Sequence, residues 1–223
     1  MPGPPASDVR SRFLDALDRL HERFLVGVEG VTEVWLVRHG DAYAELVSLD
    51  DANIDPPLSP KGREEAARLG ARLEASGVTA IWSSQILRAR ETAEIAAIPA
   101  GLTHRVDDRL REVKTQWEDA TDEPADVPGY IPFVEPLDEV VARMDSVVRE
   151  IAAAAGPGAR VAAVSHAGAI SMYLASVLKL DSGPLRVLPQ FTSVSVLLLK
   201  DDRLVVQSIG DVGHLVREEL PGG

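Results

Sequence analysis

Val34-Trp35-Leu36-Val37-Arg38-His39-Gly40-Asp41 is the stretch on which the fold of this chain turns. Four apolar residues stop abruptly at an arginine and a histidine. An unbroken apolar run bounded in this way reads as a buried strand that delivers side chains to the rim of a sheet. Open α/β sheets hold their ligands at that rim, outside the carboxyl ends of the strands. Gly40 then marks a position where the backbone needs positive φ or a close approach.

Two further stretches repeat the pattern. Val78-Thr79-Ala80-Ile81-Trp82 ends in Ser83-Ser84, and Arg160-Val161-Ala162-Ala163-Val164 ends in Ser165-His166-Ala167-Gly168. Helical patterns lie between the strands. Ser59 and Pro60 suit the cap and first position of a helix that carries Ala66, Leu69 and Leu73 on one face and stops at Gly77. A second helix runs from Ser83-Ser84 towards Pro99, with Arg88 in its first turn. A third spans 137–155 with Leu137, Val140, Val141, Met144, Val148 and Ile151 inward, and a fourth covers 168–179. Short strands are expected at 103–106, 192–199 and 203–209, the last two joined by a turn at Asp201-Asp202. The alternation predicts an α/β fold, a three-layer α/β/α sandwich with a mostly parallel central sheet, plus an N-terminal helix.

Residues 1–30 form an extension. It begins with a Pro/Gly-rich segment, expected to be mobile, and continues into a helix capped by Ser7 or Asp8. Phe13, Leu17, Leu20 and Phe24 give that helix an apolar stripe. The stripe is expected to pack on the outside of the sheet, and it is also a candidate contact in a homo-oligomer. The core domain is expected over 31–216, with a tail at 217–223. Residues 114–134 are long and irregular, with Trp117, Tyr130 and Phe133 among acidic residues and only Lys114 as a cation, which reads as a lid insertion. A Gly183-Pro184 turn follows the fourth helix.

The 223 residues suit one sizeable domain. The absence of cysteine excludes disulfides, thiolate metal sites and a cysteine nucleophile. A net charge of −12 makes nucleic acid or an anionic membrane a poor partner. No apolar run reaches the roughly 18 residues of a membrane span, and the first residues lack a signal-peptide layout. A cytoplasmic protein is expected.

If the three polar strand ends share one rim, Arg38, His39, Arg88 and His166 converge in an acidic protein. Such a cluster is suited to a dianion, above all a phosphoryl group, because guanidinium forks match tetrahedral oxygens. Taken singly, Arg88 also reads as a helix-surface ion-pair partner of Glu91 or Glu94, and Glu112 as a solvated acid.

Leu36-Val37-Arg38-His39-Gly40 resembles the signature of the histidine phosphatase superfamily, also called phosphoglycerate mutase-like. Five more segments resemble that family in its order: Asp55-Pro56-Pro57-Leu58-Ser59 with Gly62; Ser83-Ser84 with Leu87-Arg88-Ala89 and Thr92-Ala93; Leu110 with Glu112; Val164-Ser165-His166; and His214-Leu215. Together they cover roughly residues 31–216. The resemblance implies a phosphohistidine mechanism with His39 as nucleophile. Its second ring nitrogen would donate to a backbone carbonyl. Arg38, Arg88 and His166 would grip the phosphoryl oxygens, and Glu112 would serve as proton donor and then as base, with Asp41 as the substitute acid and a further substrate-binding residue. No metal or other cofactor is required. His214 reads as a structural residue behind the site, and His104 and His21 as incidental. A zinc hydrolase built on His39, Asp41, His166 and His214 has no supporting ligand spacing.

The chain departs from the mutase pattern. Asp41-Ala42-Tyr43 lacks the family's hydroxyl and Trp-Asn pair, Asp51-Ala52 stands where mutases place a Ser/Thr-Gly, and the acidic lid disfavours a bisphosphorylated cofactor. The expectation is a metal-independent phosphatase acting on a small phosphorylated metabolite. The alternatives are a bisphosphoglycerate-dependent phosphoglycerate mutase and a non-catalytic phospho-ligand or protein-binding module on the same fold.

Overall fold

A computed structural model describes residues 6–43, 55–114, 134–180 and 187–215. The expected lid apart from its end residues Lys114 and Val134, the Gly183-Pro184 turn, the C-terminal tail and the first five residues lie outside the described residues.

The elements run α1 (Ala6–Arg23), β1 (Thr32–Arg38), α2 (Pro60–Ala75), β2 (Ala80–Ser83), α3 (Leu87–Ala97), β3 (Thr103–Val106), a 3-10 turn (Asp108–Leu110), α4 (Leu137–Ala155), β4 (Arg160–Ser165), α5 (Ala167–Val177), β5 (Val194–Lys200) and β6 (Arg203–Asp211). The six strands form one sheet in the order β3-β2-β4-β1-β5-β6. β1, β2, β3 and β4 are mutually parallel, and β5 runs antiparallel to both β1 and β6. The β5–β6 connection is the expected Asp201-Asp202 turn, with Asp201 at φ 56°, the left-handed conformation that matches hairpin twist.

The β1 run is apolar because both of its faces are covered. Val34 and Leu36 face one core with Val161, Ala163, Leu197 and Leu199 from neighbouring strands, Met144, Val148 and Ile151 from α4, and Ile170, Tyr173 and Leu174 from α5. Trp35 and Val37 face the other with Ala162, Val164 and Val196, Leu69 and Leu73 from α2, and Ala89, Ala93 and Ala96 from α3. Three layers result, α2/α3, sheet and α4/α5.

Local signals placed several boundaries. Ser59 caps α2, its hydroxyl accepting from Gly62 N at 3.1 Å, and Pro60 opens the helix. Gly77 beyond its end has φ 68°, a conformation glycine adopts without penalty. Other boundaries differ. α3 starts at Leu87, not at Ser83-Ser84, because its leading N–H is satisfied by Asp55: the carboxylate accepts from Leu87 N at 2.6 Å. That cap comes from a distant segment.

α1 departs most from expectation. It begins at Ala6, so Ser7 and Asp8 lie inside the helix instead of capping it. Its stripe does not pack on the sheet: Phe13 is 65% exposed, Leu20 49% and Phe24 48%. Around β1 and β4 both sheet faces are already occupied, by α2/α3 on one side and α4/α5 on the other. The helix is tied down at its end, where Arg203 of β6 donates to the Glu22 carboxylate and carbonyl. The chain re-enters the core at Leu25.

Candidate active site

Register builds the site. β1 and β4 pair so that Arg38 lies opposite Ser165, and His39 N donates to Ser165 O at 3.0 Å. β2 pairs with β4 so that Ser83 lies opposite Val164. The three polar strand ends therefore meet at one rim, with the His39 and His166 rings 5.1 Å apart between centroids.

His39 is fully buried. Its Nδ1 lies 2.7 Å from Gly40 O. A carbonyl can only accept, so Nδ1 carries the proton. Nε2 is then the bare nitrogen, and it accepts from Arg88 Nε at 3.2 Å. Burial, followed by the charges of Arg88 and Arg38, holds the imidazole well below its ordinary value. His39 is thus a neutral, oriented base whose Nε2 lone pair is met by Arg88. Gly40 is required by close approach, not by positive φ: a Cβ there would stand 2.7 Å from Gly62 O, and one on Gly62 would stand 2.0 Å from Asp41 O. The loop after β1 crosses the first turn of α2 backbone against backbone. Gly40 N is satisfied by Thr92 Oγ1 at 2.9 Å, which itself donates to Arg88 O.

Arg88 does not pair with the acids on its own helix. Arg63 takes Glu91 and Arg90 takes Glu94, while Arg88 faces His39 and Asp55, with 3.6 Å to the Asp55 carboxylate. Arg38 donates to Pro189 O at 2.9 Å and stacks 3.9 Å above the Phe191 ring. Among the described residues its buried Nε has no hydrogen-bond partner, and neither do the two ring nitrogens of His166. Burial and the neighbouring cationic groups also hold His166 well below its ordinary value. Buried polar atoms are nearly always paired in proteins. The Arg38 Nε–H and the single N–H of the neutral His166 ring, at strand ends that meet beside His39, are donors suited to an oxyanion.

Glu112 meets this group from a different direction. Its Oε1 accepts from Val113 N at 2.9 Å and Ala169 N at 3.0 Å, and its Oε2 from Gly168 N at 3.3 Å. The Glu112 side chain sits on the free N–H groups of the first turn of α5. Its charge is among those felt by Arg38 and Tyr43.

The family model described as histidine phosphatase superfamily (branch 1) matches residues 34–212. The chain belongs to the histidine phosphatase superfamily. A probable phosphoglycerate mutase of Salmonella arizonae is 29% identical over 204 residues, covering 82% of this chain and 94% of its own. Among solved structures, Bacillus stearothermophilus YhfR superposes with a TM-score of 0.64 at 26% identity, covering 82% of this chain and 98% of that one. A mycobacterial glucosyl-3-phosphoglycerate phosphatase superposes with a TM-score of 0.64 at 25% identity, covering 80% and 98%.

The remaining candidates of this superfamily member fall into place around that centre. Both Asp41 carboxylate oxygens are engaged, Oδ2 by Ser59 Oγ at 3.0 Å and Oδ1 by Tyr43 N at 3.0 Å. Buried Glu65 accepts from Asp41 N. Asp41 thus pins the loop to α2. It also lines a cavity of about 360 Å³ with Arg38, Lys61, Gln190 and Phe191. His214 lies behind the site: its Nε2 is 3.1 Å from Thr192 Oγ1, and Thr192 N donates to His39 O. Burial, then Arg72, pushes His214 down to about 4. His104 is 2.9 Å from Ser83 Oγ at the end of β2. Among the described residues no group of three His, Asp or Glu side chains is arranged to hold a metal.

Sequence reasoning passed over Phe191, the platform under Arg38, and the ion-pair cluster of Glu135, Arg111 and Arg143. Burial would raise the Glu135 carboxyl, but hydrogen bonds from Arg143 and Lys114 N, with the charges of Arg143 and Arg111, outweigh it and hold Glu135 below the usual carboxylate range. An arginine in a helix and an acid before one carry no local sign of meeting.

Proposed function

We propose that this protein is a metal-independent phosphomonoesterase working through a phosphohistidine. The observation that carries the reading is the state of His39: neutral, buried, its Nδ1–H held by Gly40 O and its Nε2 aimed among Arg38, Arg88 and His166. Nε2 attacks phosphorus and forms the N–P bond as the ester P–O bond breaks. Glu112 in its acid form passes its proton to the leaving oxygen, which departs as an alcohol. Glu112, now a carboxylate, takes a proton from water as that water attacks the phosphohistidine. Inorganic phosphate leaves and His39 is restored. Covalent catalysis of this kind divides one hard displacement into two easier ones. Arg38, Arg88 and the His166 ring meet the oxygens of the phosphoryl group in flight, and such contacts supply most of the acceleration in phosphoryl transfer. Arg88 exchanges its bond to Nε2 for one to a phosphoryl oxygen as substrate enters. In this reading Asp41 holds the loop and borders the substrate. The substrate class is a small phosphorylated metabolite, by analogy with the mycobacterial phosphatase.

The test is hydrolysis of p-nitrophenyl phosphate in excess chelator. Wild type turns over and forms an acid-labile phosphoenzyme, and His39→Ala does neither. Turnover unchanged by His39→Ala, or none in wild type, refutes the proposal, and the latter result leaves the binding-module alternative standing.

A second reading, a phosphoglycerate mutase, is favoured by the name of the Salmonella relative. It predicts isomerisation of 3-phosphoglycerate stimulated by a bisphosphoglycerate. The mutase-type residues missing after Gly40, and the acidic composition of residues 115–133, weigh against it.

A further inference from the structure

Glu112 stands on a segment without regular structure, following the 3-10 turn Asp108–Leu110. No strand ladder fixes its backbone. Arg143 of α4 does so instead. Its Nη1 donates to Arg109 O at 2.7 Å and Arg111 O at 2.9 Å, and its Nη2 to Glu112 O at 3.4 Å. Its remaining N–H groups bind Glu135 in bidentate fashion, Nε to Oε1 at 2.8 Å and Nη2 to Oε2 at 3.1 Å. A guanidinium has five donors in a rigid fork, and here all five are committed. Three of them go to carbonyls of the segment that carries the acid.

Glu135, whose side chain is only 2% exposed, orients the fork. It also accepts from Arg111 at 2.6 Å and from Lys114 N at 3.2 Å. Val134 N donates to Lys114 O at 3.0 Å. Residues 114 and 134, which flank the acidic stretch 115–133, therefore meet on the same clamp.

We propose that Arg143 and Glu135 are positioning residues for proton transfer by Glu112, acting through the backbone of residues 109–114. The proposal rests on the phosphatase reading above and on Glu112 as its acid. It requires that loosening the clamp harm the step in which a proton is delivered more than the step in which phosphorus is bound. Leaving-group dependence separates the two. p-Nitrophenolate departs without help, whereas the alkoxide of benzyl phosphate needs a proton in the transition state. The kcat/KM for each ester reports the chemistry up to formation of the phosphoenzyme.

The experiment measures kcat/KM for p-nitrophenyl phosphate and benzyl phosphate in wild type, Glu112→Gln, Arg143→Lys and Glu135→Gln. Val148→Ala, a core substitution on α4, serves as the control for general loosening. Glu112→Gln is expected to lose benzyl phosphate activity at least tenfold more than p-nitrophenyl phosphate activity. Arg143→Lys keeps the charge but not the fork, and is expected to show the same selective loss. Glu135→Gln shows it more weakly, and Val148→Ala lowers both esters by one factor. If Arg143→Lys does not fold, as read by circular dichroism, Glu135→Gln decides. Equal losses on both esters in the folded clamp variants, beside a selective Glu112→Gln, overturn the proposal alone. An unselective Glu112→Gln overturns it together with the assignment of the acid, and a wild type inert towards both esters removes the phosphatase reading itself.

Discussion

Gly168→Ala tests Glu112 as the proposed acid by moving its carboxyl group without replacing it. A Cβ on Gly168 would lie 2.8 Å from Glu112 Oε1 and 3.2 Å from Val113 Cγ2. Relaxed non-bonded contacts sit near 3.5 Å, so the carboxylate must retreat by roughly 0.7 Å. Retreat weakens its bonds to Gly168 N and Ala169 N, a cost of about 2 kcal/mol for hydrogen bonds to a charged group. Alanine in place of glycine in a helix returns up to about 1 kcal/mol. The net loss of stability is therefore small, about 1 kcal/mol. Catalysis is less forgiving, because a misplacement near 1 Å costs about 100-fold. The expected variant melts within a few degrees of wild type but hydrolyses benzyl phosphate about 100-fold more slowly. Thermal unfolding and steady-state kinetics on the same preparation check both halves. A folded Gly168→Ala protein with wild-type turnover would refute the placement of Glu112 as the acid.

Thr92→Val removes the acceptor for the buried Gly40 N–H. It should cost about 1–3 kcal/mol, the penalty for an orphaned buried donor, read as a lower urea midpoint, with turnover reduced as the His39 loop loosens. Stability should fall as pH drops. His39 and His166 are buried neutral and held well below their ordinary value. Below about pH 6.5 the unfolded chain binds protons that the folded chain refuses, so stability is lost as pH falls, by about 1.4 kcal/mol per pH unit for each such histidine. Urea unfolding at pH 7.5, 6 and 5 measures the slope, and a flat profile contradicts burial of the neutral rings. The same shift keeps Nε2 free in mild acid, so the acid limb of kcat/KM attributable to His39 should lie well below pH 6.5.

The candidate site was legible where its chemistry is local. Arg38, His39, Ser165 and His166 end apolar runs, and any strand buried on both faces must end where its residues turn polar. Glu112 showed itself only through the family resemblance, since an acid in an irregular segment has no periodicity to betray it. Arg88 had two local readings, and the ion pairs of Arg63 and Arg90 leave it to the site.

The sequence by itself determined the alternation of strands and helices, the Ser59-Pro60 start of α2, the Asp201 turn and the polar strand ends. These follow from residues within a few positions of one another, through period, caps and turns. Only the tertiary structure decided that Arg38 pairs with Ser165, that Asp55 caps α3, that Arg143 and Glu135 clamp the segment bearing Glu112, and that α1 keeps its stripe exposed. Each of these depends on which distant segments arrive side by side and which faces are already covered. Such contacts are set by the packing of the whole sheet, and no window of sequence contains both partners.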